Sequence, residues 1–545
     1  MTSTSLVPTD THGVTNQVPP LAGYNAFAQD HILRAAVATG PAPWVADRAT
    51  GLGALVGDER LQSLAHQANR YPPELRTHDR AGRRIDLVEY HPAYHELMTI
   101  ACGHGVHSLA WTAKADGAFT ARATLFYLWN QLEQGTACPV TMTFAGVQVM
   151  RSSPGLATTW EPKLVATSYD PRPLPVGLKS GATVGMAMTE KQGGSDLRAT
   201  ETRAEPVGDG YALTGHKWFC SAPMSDGFFT LARLDGGVTC FFVPRSLGDG
   251  TRNRFLIQRL KDKVGNRSNA SAEIEYRDTF ADRVGEPGRG IATLIEMAHL
   301  TRFDIVVGTA GMMRAAVSQA LHHARHRQAF GKRLADHALM QNVLADLALE
   351  SEAAALLAFR LSAAFDAAPA DDHQRQVMRI LTPIAKYWHC KRLTPLTVEA
   401  MECLGGNGYV EEGPLGRLYR EAPLNGIWEG SGNVICLDVC RAMQKSPHAV
   451  DALLREIVGV GDDRINRQVQ RIREVLSRTD HVEANARQLV ERIALAVQAA
   501  LMLQHAPAAN ADAFVAARLE GGGHAFGTLP PTSDCTAIIE RATVG

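Results

Sequence analysis

The sequence predicts a mostly helical α+β fold, with helices first, a β domain second, a long helix bundle third and further helices last. Two observations support this order. Short apolar runs separated by Gly, Asp and Asn fill residues 181–290, which is typical of an antiparallel β domain. Much longer apolar runs with helical spacing follow over residues 291–444, and long adjacent helices usually pack as a bundle.

Residues 1–180 are predicted to form an N-terminal arm and a helical domain. The stretches "YHELMTIACGHG" and "ARATLFYLWNQLEQG" have a helical character. Before them, "NRYPPELRTHDRAGRR" contains two prolines and five arginines, which favours an exposed basic loop.

The middle and the C-terminal parts follow from the same kind of pattern. Strand-like runs of the β domain include "TVGMAMTE", "GYALTGHKWFCSA", "GFFTLARL", "GVTCFFVPR" and "NASAEIEY". Bundle helices are predicted from "RFDIVVGTAGMMRAAVSQALHHARHRQ" and two further runs of similar length. Residues 445–545 are predicted to be an additional helical domain that ends in a mobile tail, "LEGGGHAFGTLPPTSD".

Composition limits the classes of function. Hydrophobic residues make up 45% of the chain, charged residues 20%, and the net charge is −1, so the whole molecule has no electrostatic attraction for nucleic acid or membranes. The N-terminus lacks a signal-peptide pattern, and no window approaches about 18 consecutive apolar residues. The nine cysteines form no Cys-x-x-Cys pair, which suits reduced thiols. We therefore expect a cytoplasmic, soluble protein without a membrane partner.

Several common catalytic motifs are missing from the sequence. It has no Gly-x-Gly-x-x-Gly after a strand, no P-loop, no His-Glu-x-x-His and no Gly-x-Ser-x-Gly. His322 and His326 are one helical turn apart, but no third ligand accompanies them. A solvated helix face is the favoured explanation, and no metal is expected.

The loop "MTEKQGGSDL" at residues 188–197 combines hydroxyl groups with two adjacent glycines. Such a loop can bring main-chain N–H groups against a planar polar group or a phosphate, although a simple hairpin turn is the commoner explanation of one such loop. Further on, "TGHKWFCSA" offers Trp218 or Phe219 for stacking on a flat ring, and Ser221 for donation to a ring nitrogen.

Three later stretches complete the pattern. In "RQAFGK", Arg327 and Phe330 suit an adenine or pyrophosphate clamp at a helix end. In "ECLGGNGYVEEGPLGRLYRE", a glycine-rich turn precedes a helix whose N-terminus can receive phosphate. In "IWEGSGN", Glu429 lies between an aromatic residue and two glycines. Together these residues can bind a dinucleotide with a tricyclic ring, and one carboxylate is left without a role.

The same stretches resemble the acyl-CoA dehydrogenase family. Residues 187–196 resemble its first signature, residues 402–421 match its second, and "KDKVGNRSNASAEIEY" resembles its β-domain segment before the bundle. The resemblance covers about residues 90–444. It implies an acyl-CoA dehydrogenase-like fold, an FAD cofactor and a homotetramer.

The resemblance also implies roles for individual residues. Glu429 corresponds to the catalytic base that removes the α-proton of a thioester while flavin accepts hydride. Glu402 replaces the family's usual Gln, so a cofactor contact is not carried over to it. The positions that correspond to cofactor contacts within one subunit are Met188, Thr189, Gly194, Ser195, Trp218, Phe219, Ser221, Gly430, Ser431 and Asn433. The positions that would hold the ADP half of a neighbouring subunit's FAD are Arg327, Phe330, Gly405 and Gly406.

Other stretches resemble one branch of the family, whose members respond to alkylation damage. They include "PPELRTHDRAGRRID" and "YREAPLNGIWEGSGNVICLDV", and the chain also continues for about a hundred residues beyond the Glu429 segment. This resemblance implies double-stranded DNA as a partner, protection against alkylating agents and weak or residual dehydrogenase activity. The alternatives are a genuine acyl-CoA dehydrogenase and a scaffold in which FAD only stabilises the tetramer.

One local feature supports a DNA contact. Residues 446–545 contain 10 Arg plus Lys against 12 Asp plus Glu, which argues against a simple basic domain. On a helix, however, four arginines would fall within a sector of about 60°, opposite an apolar face. They are Arg464, Arg467, Arg471 and Arg478, and Arg441 and Lys445 extend the positive charge. Such a stripe can bind phosphates without base preference, and a solvated helix face is the alternative.

Overall fold

The computed structural model describes residues 11–235, 237–477, 482–521 and 524–544. Its N-terminal region is helical, with one β hairpin inserted. The helices are α1 (His31–Thr39), α2 (Ala46–Val56), α3 (Glu59–Arg70), α4 (Pro92–Gly103), α5 (Leu109–Thr112), α6 (Ala118–Leu132), α7 (Ala137–Met150) and α8 (Pro154–Leu164). Helices α6 and α7 are buried along almost all their length, so they form the floor on which the later elements pack.

The predicted basic loop is wrong, because the stretch forms an antiparallel hairpin of β1 (Glu74–His78) and β2 (Arg84–Glu89). Apolar residues alternate with polar ones between the arginines, and the last of these apolar residues, Val88, is buried. Arg84 pairs with Asp86 and donates to the Ile257 carbonyl oxygen. These bonds dock the hairpin on the β domain.

The β domain is a seven-stranded sheet. Its strands are β3 (Val184–Ala187), β4 (Arg203–Val207), β5 (Gly210–Ser221), β6 (Gly227–Leu234), β7 (Gly237–Pro244), β8 (Phe255–Leu260) and β9 (Ser271–Val284). The order is β3-β6-β4-β5-β9-β7, with β8 on β9 and an additional pairing of β6 with β7. The sheet is not purely antiparallel as predicted, since β3 and β4 each pair with β6 in parallel. Strand β3 therefore lies at an edge of the sheet.

The bundle consists of three long helices and two shorter ones. They are α9 (Gly290–His326), α10 (Ala338–Ala367), α11 (Asp372–Cys403), α12 (Pro414–Asn425) and α13 (Gly432–Lys445). A small hairpin of β10 (Gln328–Ala329) and β11 (Lys332–Arg333) follows α9. One continuous apolar core joins the N-terminal helices, the bundle and one side of the sheet, while a second core fills the β domain.

Five further helices follow the bundle in the described residues: α14 (Pro447–Val458), α15 (Asp463–Ser477), α16 (Ala486–His505), α17 (Ala508–Leu519) and α18 (Cys535–Ala542). The predicted mobile tail is wrong for residues 524–534. Phe526 and Leu529 are buried, and the main-chain N–H groups of Gly527 and Leu529 donate to Asp346 and Asn342 on α10. Polar and apolar contacts together hold residues 526–529 against α10.

Both ends of the described chain meet the bundle at one side chain. Arg314 on α9 is almost fully buried, and its Nε donates to Asp30 at 2.8 Å. Asp30 also caps the N-terminus of α1. The Arg314 Nη1 atom donates to the carbonyl oxygen of Ala542 at 2.7 Å, so one guanidinium joins α1, α9 and α18.

Two kinds of feature are absent from the described residues. No helix there combines the length and the apolar character that crossing a membrane requires. Nor does that part of the chain hold a group of three or more His, Cys, Asp or Glu side chains placed to bind a metal ion.

Candidate active site

Glu429 lies in the short loop between α12 and α13, at the inner side of the bundle. Its φ angle is +57°, and that of the following Gly430 is +103°. The left-handed region is unfavourable for a residue with a Cβ, so the surroundings must hold it there. The Trp428 indole N–H donates to Asn425 at 3.1 Å, which fixes the residue before Glu429 to the end of α12.

The Glu429 carboxylate has the environment of a general base. Its Oε2 atom is shielded from solvent and has no hydrogen-bond partner within the described residues. Burial raises the pKa of this carboxyl, whereas the Thr301 side chain and the charges of Arg302 and Lys386 oppose the rise. A carboxylate with a raised pKa and a free oxygen can accept a proton from a bound substrate.

Cys138, at the start of α7, lies close to site residues of both the β domain and the bundle. It interacts with the Ser221 side chain on β5 and with the Glu429 carboxylate on the bundle side. Burial raises the pKa of its thiol to about 12, so it is a packing residue and not a nucleophile. The structure therefore places the predicted Ser221 and Glu429 near one thiol.

The predicted 188–197 loop is attached to strand β5. The Thr189 carbonyl oxygen accepts the Trp218 N–H at 2.8 Å, so the loop runs beside the aromatic pair. A Cβ on Gly194 would lie 2.3 Å from the Thr189 hydroxyl oxygen, which explains why glycine is needed there. Met188 packs against the main core, and Ser195 is exposed.

A buried ion pair between Lys217 and Glu190 holds the same loop in place. The Lys217 ammonium donates to Glu190 at 2.6 Å, and both side chains are at most 1% exposed. Burial alone would raise the pKa of Glu190, but the charge and hydrogen bond of Lys217 lower it to about 2. Lys217 was not predicted from the sequence. A lone lysine in a strand with apolar neighbours was the signal that could have found it.

The two aromatic side chains of "HKWFC" differ in their availability. The Lys261 ammonium lies 3.3 Å from the centre of the Trp218 ring and occupies one of its faces. The same ammonium lies 4.8 Å from the centre of the Phe219 ring, but Phe219 is 49% exposed and presents more of its surface for stacking. The geometry therefore favours Phe219 over Trp218 as the aromatic shield of a flat ring.

These residues fit a flavin. An exposed aromatic ring and a hydroxyl lie two residues apart on β5, and the carboxylate with the unpartnered oxygen lies near the Cys138 thiol that also contacts this hydroxyl. Ser431 is the N-cap residue of α13, and its side chain makes no capping hydrogen bond. The first turn of α13, which includes Asn433, thus keeps polar groups available beside Gly430.

A cavity of about 480 Å³ borders this region. Pro139 and Ala222, which directly follow Cys138 and Ser221, form one wall. Aromatic side chains form the other, namely Tyr90 before α4, Tyr94 and His95 on α4, and Tyr169 after α8. The cavity gives the site a mixed polar and apolar boundary on its N-terminal side.

The predicted ADP-binding residues do not lie at this site within one chain. Arg302 lies beside Glu429, and Arg327 is about 37 Å further along α9 at about 1.5 Å per residue. Phe330 is 96% exposed with φ +51°. The space around the Cβ positions of Gly405 and Gly406 is open. Whether a second subunit brings them to a cofactor stays a prediction.

The structure gives two of the four arginines of the predicted stripe carboxylate partners. Arg464 is bound by Asp462 and Asp512, and Arg467 pairs with Glu520. Arg441 pairs with Asp438, whereas Arg471 and Lys445 are exposed. Arg478 lies outside the described residues. The stripe is therefore less basic than its sequence suggests.

The fold and the site place the chain in one class: it belongs to the acyl-CoA dehydrogenase family, whose members are FAD-dependent oxidoreductases acting on CH–CH groups. The family's middle domain matches residues 185–279 and its C-terminal domain matches residues 288–444. The adaptive response protein AidB N-terminal domain matches residues 16–171. The predicted family, its FAD cofactor and the resemblance to AidB are thereby confirmed, whereas the response to alkylation damage stays a prediction.

Individual relatives agree with this assignment. The putative acyl-CoA dehydrogenase AidB of Escherichia coli (strain K12) is 44% identical over 518 residues, covering 94% of this chain and 95% of the relative. The structure of Caenorhabditis elegans ACDH-11 in complex with C11-CoA superposes with a TM-score of 0.87 at 25% identity, covering 94% of each chain. An acyl-CoA dehydrogenase from Bacillus anthracis complexed with FAD shares the fold, with a TM-score of 0.62 at 18% identity, covering 78% of this chain and 79% of that one.

Proposed function

We propose that the protein oxidises an acyl-CoA thioester at Cα–Cβ and that Glu429 is the catalytic base. One observation carries the proposal: the buried, unpartnered Oε2 atom of a carboxylate with a raised pKa, near the Cys138 thiol that also contacts Ser221. FAD supplies the acceptor for the hydride that leaves Cβ. Glu429 takes the α-proton, so the electron pair of the broken Cα–H bond forms the new double bond. The C11-CoA complex of C. elegans ACDH-11 supports this substrate class.

The residues around the site have separate tasks in this reaction. Ser221 and the main chain at Met188 and Thr189 would orient the ring of FAD. Phe219 would cover one of its faces. Ser431 and Asn433 at the N-terminus of α13 would hold its polar parts. Glu429, shielded from bulk water, keeps the proton it receives until the product leaves.

The test is an anaerobic titration of the FAD-loaded protein with straight-chain acyl-CoA thioesters of several lengths, followed by visible absorbance. We expect bleaching by at least one thioester, and a rate lower by about 10²–10⁴-fold in Glu429→Gln with FAD retained. Glu412→Gln, an exposed carboxylate in the preceding turn, serves as the control. A wild-type protein that no thioester bleaches, or a Glu429→Gln variant that reacts normally, would refute the proposal.

A role in the alkylation response, with double-stranded DNA as a partner, is the second candidate. It is favoured by the match of residues 16–171 to the N-terminal domain of an adaptive response protein. Thioester oxidation would then be weak, and a small alkylating compound could be the substrate. A cytoplasmic location suits this role, and the nine cysteines are all free, as expected in a reducing compartment.

DNA binding is tested by measuring duplex affinity against salt concentration. Arg464→Ser, Arg467→Ser, Arg471→Ser and Arg478→Ser together should lower the magnitude of the logarithmic salt slope by about 0.9 for each phosphate that is no longer neutralised. Because Arg464 and Arg467 already have carboxylate partners, we expect the change in slope to correspond to fewer than four phosphates. Arg473→Ser, on the same helix outside the stripe, is the matched control. An unchanged slope in the quadruple variant would exclude this surface.

A further inference from the structure

Three consecutive main-chain carbonyls of the Glu429 loop are bound by two cations. The Lys386 ammonium on α11 donates to the Trp428 oxygen at 3.0 Å and to the Gly430 oxygen at 2.5 Å. Arg302 on α9 donates from Nε to the carbonyl oxygen of Glu429 at 2.9 Å. Each bond fixes the direction of one peptide plane, so the backbone angles of Glu429 are set from both neighbouring helices.

The bonds of Lys386 stand on either side of a strained residue. Glu429 has a Cβ and adopts φ +57°, a conformation that persists only when the surroundings over-determine it. Lys386 binds the carbonyl before Glu429 and the carbonyl after it. Without this bridge, the Trp428–Glu429 peptide plane and the Gly430–Ser431 peptide plane would lose their common anchor, and only Arg302 would still hold the plane between them.

Lys386 itself is in an unusual environment. The residue is 1% exposed, and its two hydrogen-bond acceptors are neutral carbonyls. Burial lowers the pKa of Lys386, whereas the nearby Cys390 and Glu429 side chains oppose this shift. Because Lys386 has no hydrogen-bonded carboxylate, the nearby negative charge of Glu429 stabilises its buried ammonium.

We propose that Lys386 is the positioning residue of the catalytic base, holding Glu429 in its left-handed conformation and favouring its ionised carboxylate before the proton is transferred. The inference rests on the proposed role of Glu429. It assigns to Lys386 no contact with substrate or cofactor. Its effect passes through the main chain and through the electrostatic field.

The pH dependence of this arrangement includes the charged groups on the neighbouring elements of the described chain. Arg302 comes from α9 and pairs with Asp438 of α13 at 3.1 Å. Lys391 lies near Lys386 on α11, and Cys138 faces Glu429 from α7. Lys386 and Arg302 are the two cations that lower the pKa of Glu429. Removal of Lys386 therefore raises that pKa and leaves Arg302 as the remaining counter-charge.

The first test uses FAD-loaded protein and the single-turnover rate of flavin bleaching by a straight-chain acyl-CoA thioester over a pH range of about 5 to 10, which spans the ordinary pKa values of carboxyl and ammonium groups. In Lys386→Met we expect a rate lower by about 100-fold, as a misplaced catalytic group produces. The rising limb of the pH profile should also move to higher pH. Lys386→Gln should shift the limb in the same direction, and Lys386→Arg should restore its wild-type position.

The second test does not depend on activity. Hydrogen–deuterium exchange of the peptide covering residues 426–433 should be faster in Lys386→Met than in wild type, with FAD bound in both. Lys163→Met is the matched control, since Lys163 also donates to a main-chain carbonyl, that of Lys179, outside the Glu429 site. We expect that variant to change neither the pH profile nor the exchange of this peptide.

The outcomes separate the two proposals. A wild-type protein that no thioester bleaches refutes the proposed function, and the exchange measurement then decides on the positioning role alone. An unshifted pH limb together with unchanged exchange in Lys386→Met overturns the inference. If Lys386→Met does not fold, the unshifted limb and unchanged exchange of Lys386→Gln have the same meaning.

Discussion

The Glu190 carboxylate receives four hydrogen bonds besides that of Gln192, and each comes from a group that shapes the predicted flavin-side loop. The donors are Lys217 Nζ, the Thr202 hydroxyl and the main-chain N–H groups of Glu201 and Thr202. Lys217 also donates to the Leu231 carbonyl oxygen on β6. The loop that begins at Met188 is thus fastened to strands β5 and β6 by one buried charge pair.

Replacing Lys217 by Met should destabilise the protein strongly. The change leaves the Glu190 carboxylate buried and unpaired, which costs about 3–5 kcal/mol, and we expect a large fall in the midpoint of thermal unfolding at neutral pH. Because the folded pKa of Glu190 is about 2 against 4.5 for the free side chain, its stabilising contribution is complete above about pH 4.5. It is lost as the pH falls towards 2.

Arg254→Ala is the comparison for this experiment, since Arg254 pairs with Asp278 at a site where both side chains are about 70% exposed. Such a pair contributes about 0–1 kcal/mol, so its loss should hardly change the midpoint. If Lys217→Met melted like Arg254→Ala, the buried pair would not hold the loop.

Individual site residues were predictable where a motif carries them. Glu429, Thr189 and Ser221 stand in stretches whose polar and glycine content already indicates a bound group. Lys386 and Cys138 were not predicted, because their roles arise from contacts between helices far apart in sequence. The lone lysine in "LTPIAKYWHC" is the signal that could have directed attention to α11.

At the scale of elements, length and period predicted the long helices well, because α9, α10 and α11 have apolar positions along 30 or more residues. Short elements were harder. The β1–β2 hairpin lies in a stretch whose arginines and prolines predict a loop. The parallel pairing of β3 with β6 depends on a crossover that local sequence does not encode.

The C-terminal segment offers an element-scale prediction. Leu529 is 4% exposed and lies against α10, so Leu529→Asp should lose about 1.5–3 kcal/mol of burial and lower the thermal midpoint. Thr528→Asp adds the same charge one residue earlier, at an exposed position, and should leave the midpoint unchanged. Equal midpoints for the two variants would show that the segment is not docked.

At the scale of the whole molecule, the surface of one chain carries groups without a visible role. Phe330 is 96% exposed and Tyr409 is 83% exposed, and both lie close to predicted cofactor positions at the far ends of bundle helices. A homotetramer would give these rings a partner, as the resemblance to the family implies. The exposure of these rings could not be predicted from the sequence, because it arises at the far ends of α9 and α11, which face outward in a single chain.

The overall charge balance has a related consequence. With 55 basic and 56 acidic residues, the molecule has no net field to attract DNA. Any nucleic-acid contact therefore depends on the arginines that have no carboxylate partner. Residue counts in the sequence do not show which arginines these are.

The Arg314 side chain, which joins α1, α9 and α18, determines which part of the fold is completed last during synthesis. Its guanidinium is buried only once Asp30 and the Ala542 carbonyl are both in place. A nascent chain can form its sheet and bundle on the ribosome, but this junction closes only after α18 has left the exit tunnel. Until then Arg314 on α9 lacks one of its hydrogen-bond acceptors. Chaperones would therefore meet an exposed surface where α1 and α18 later pack together.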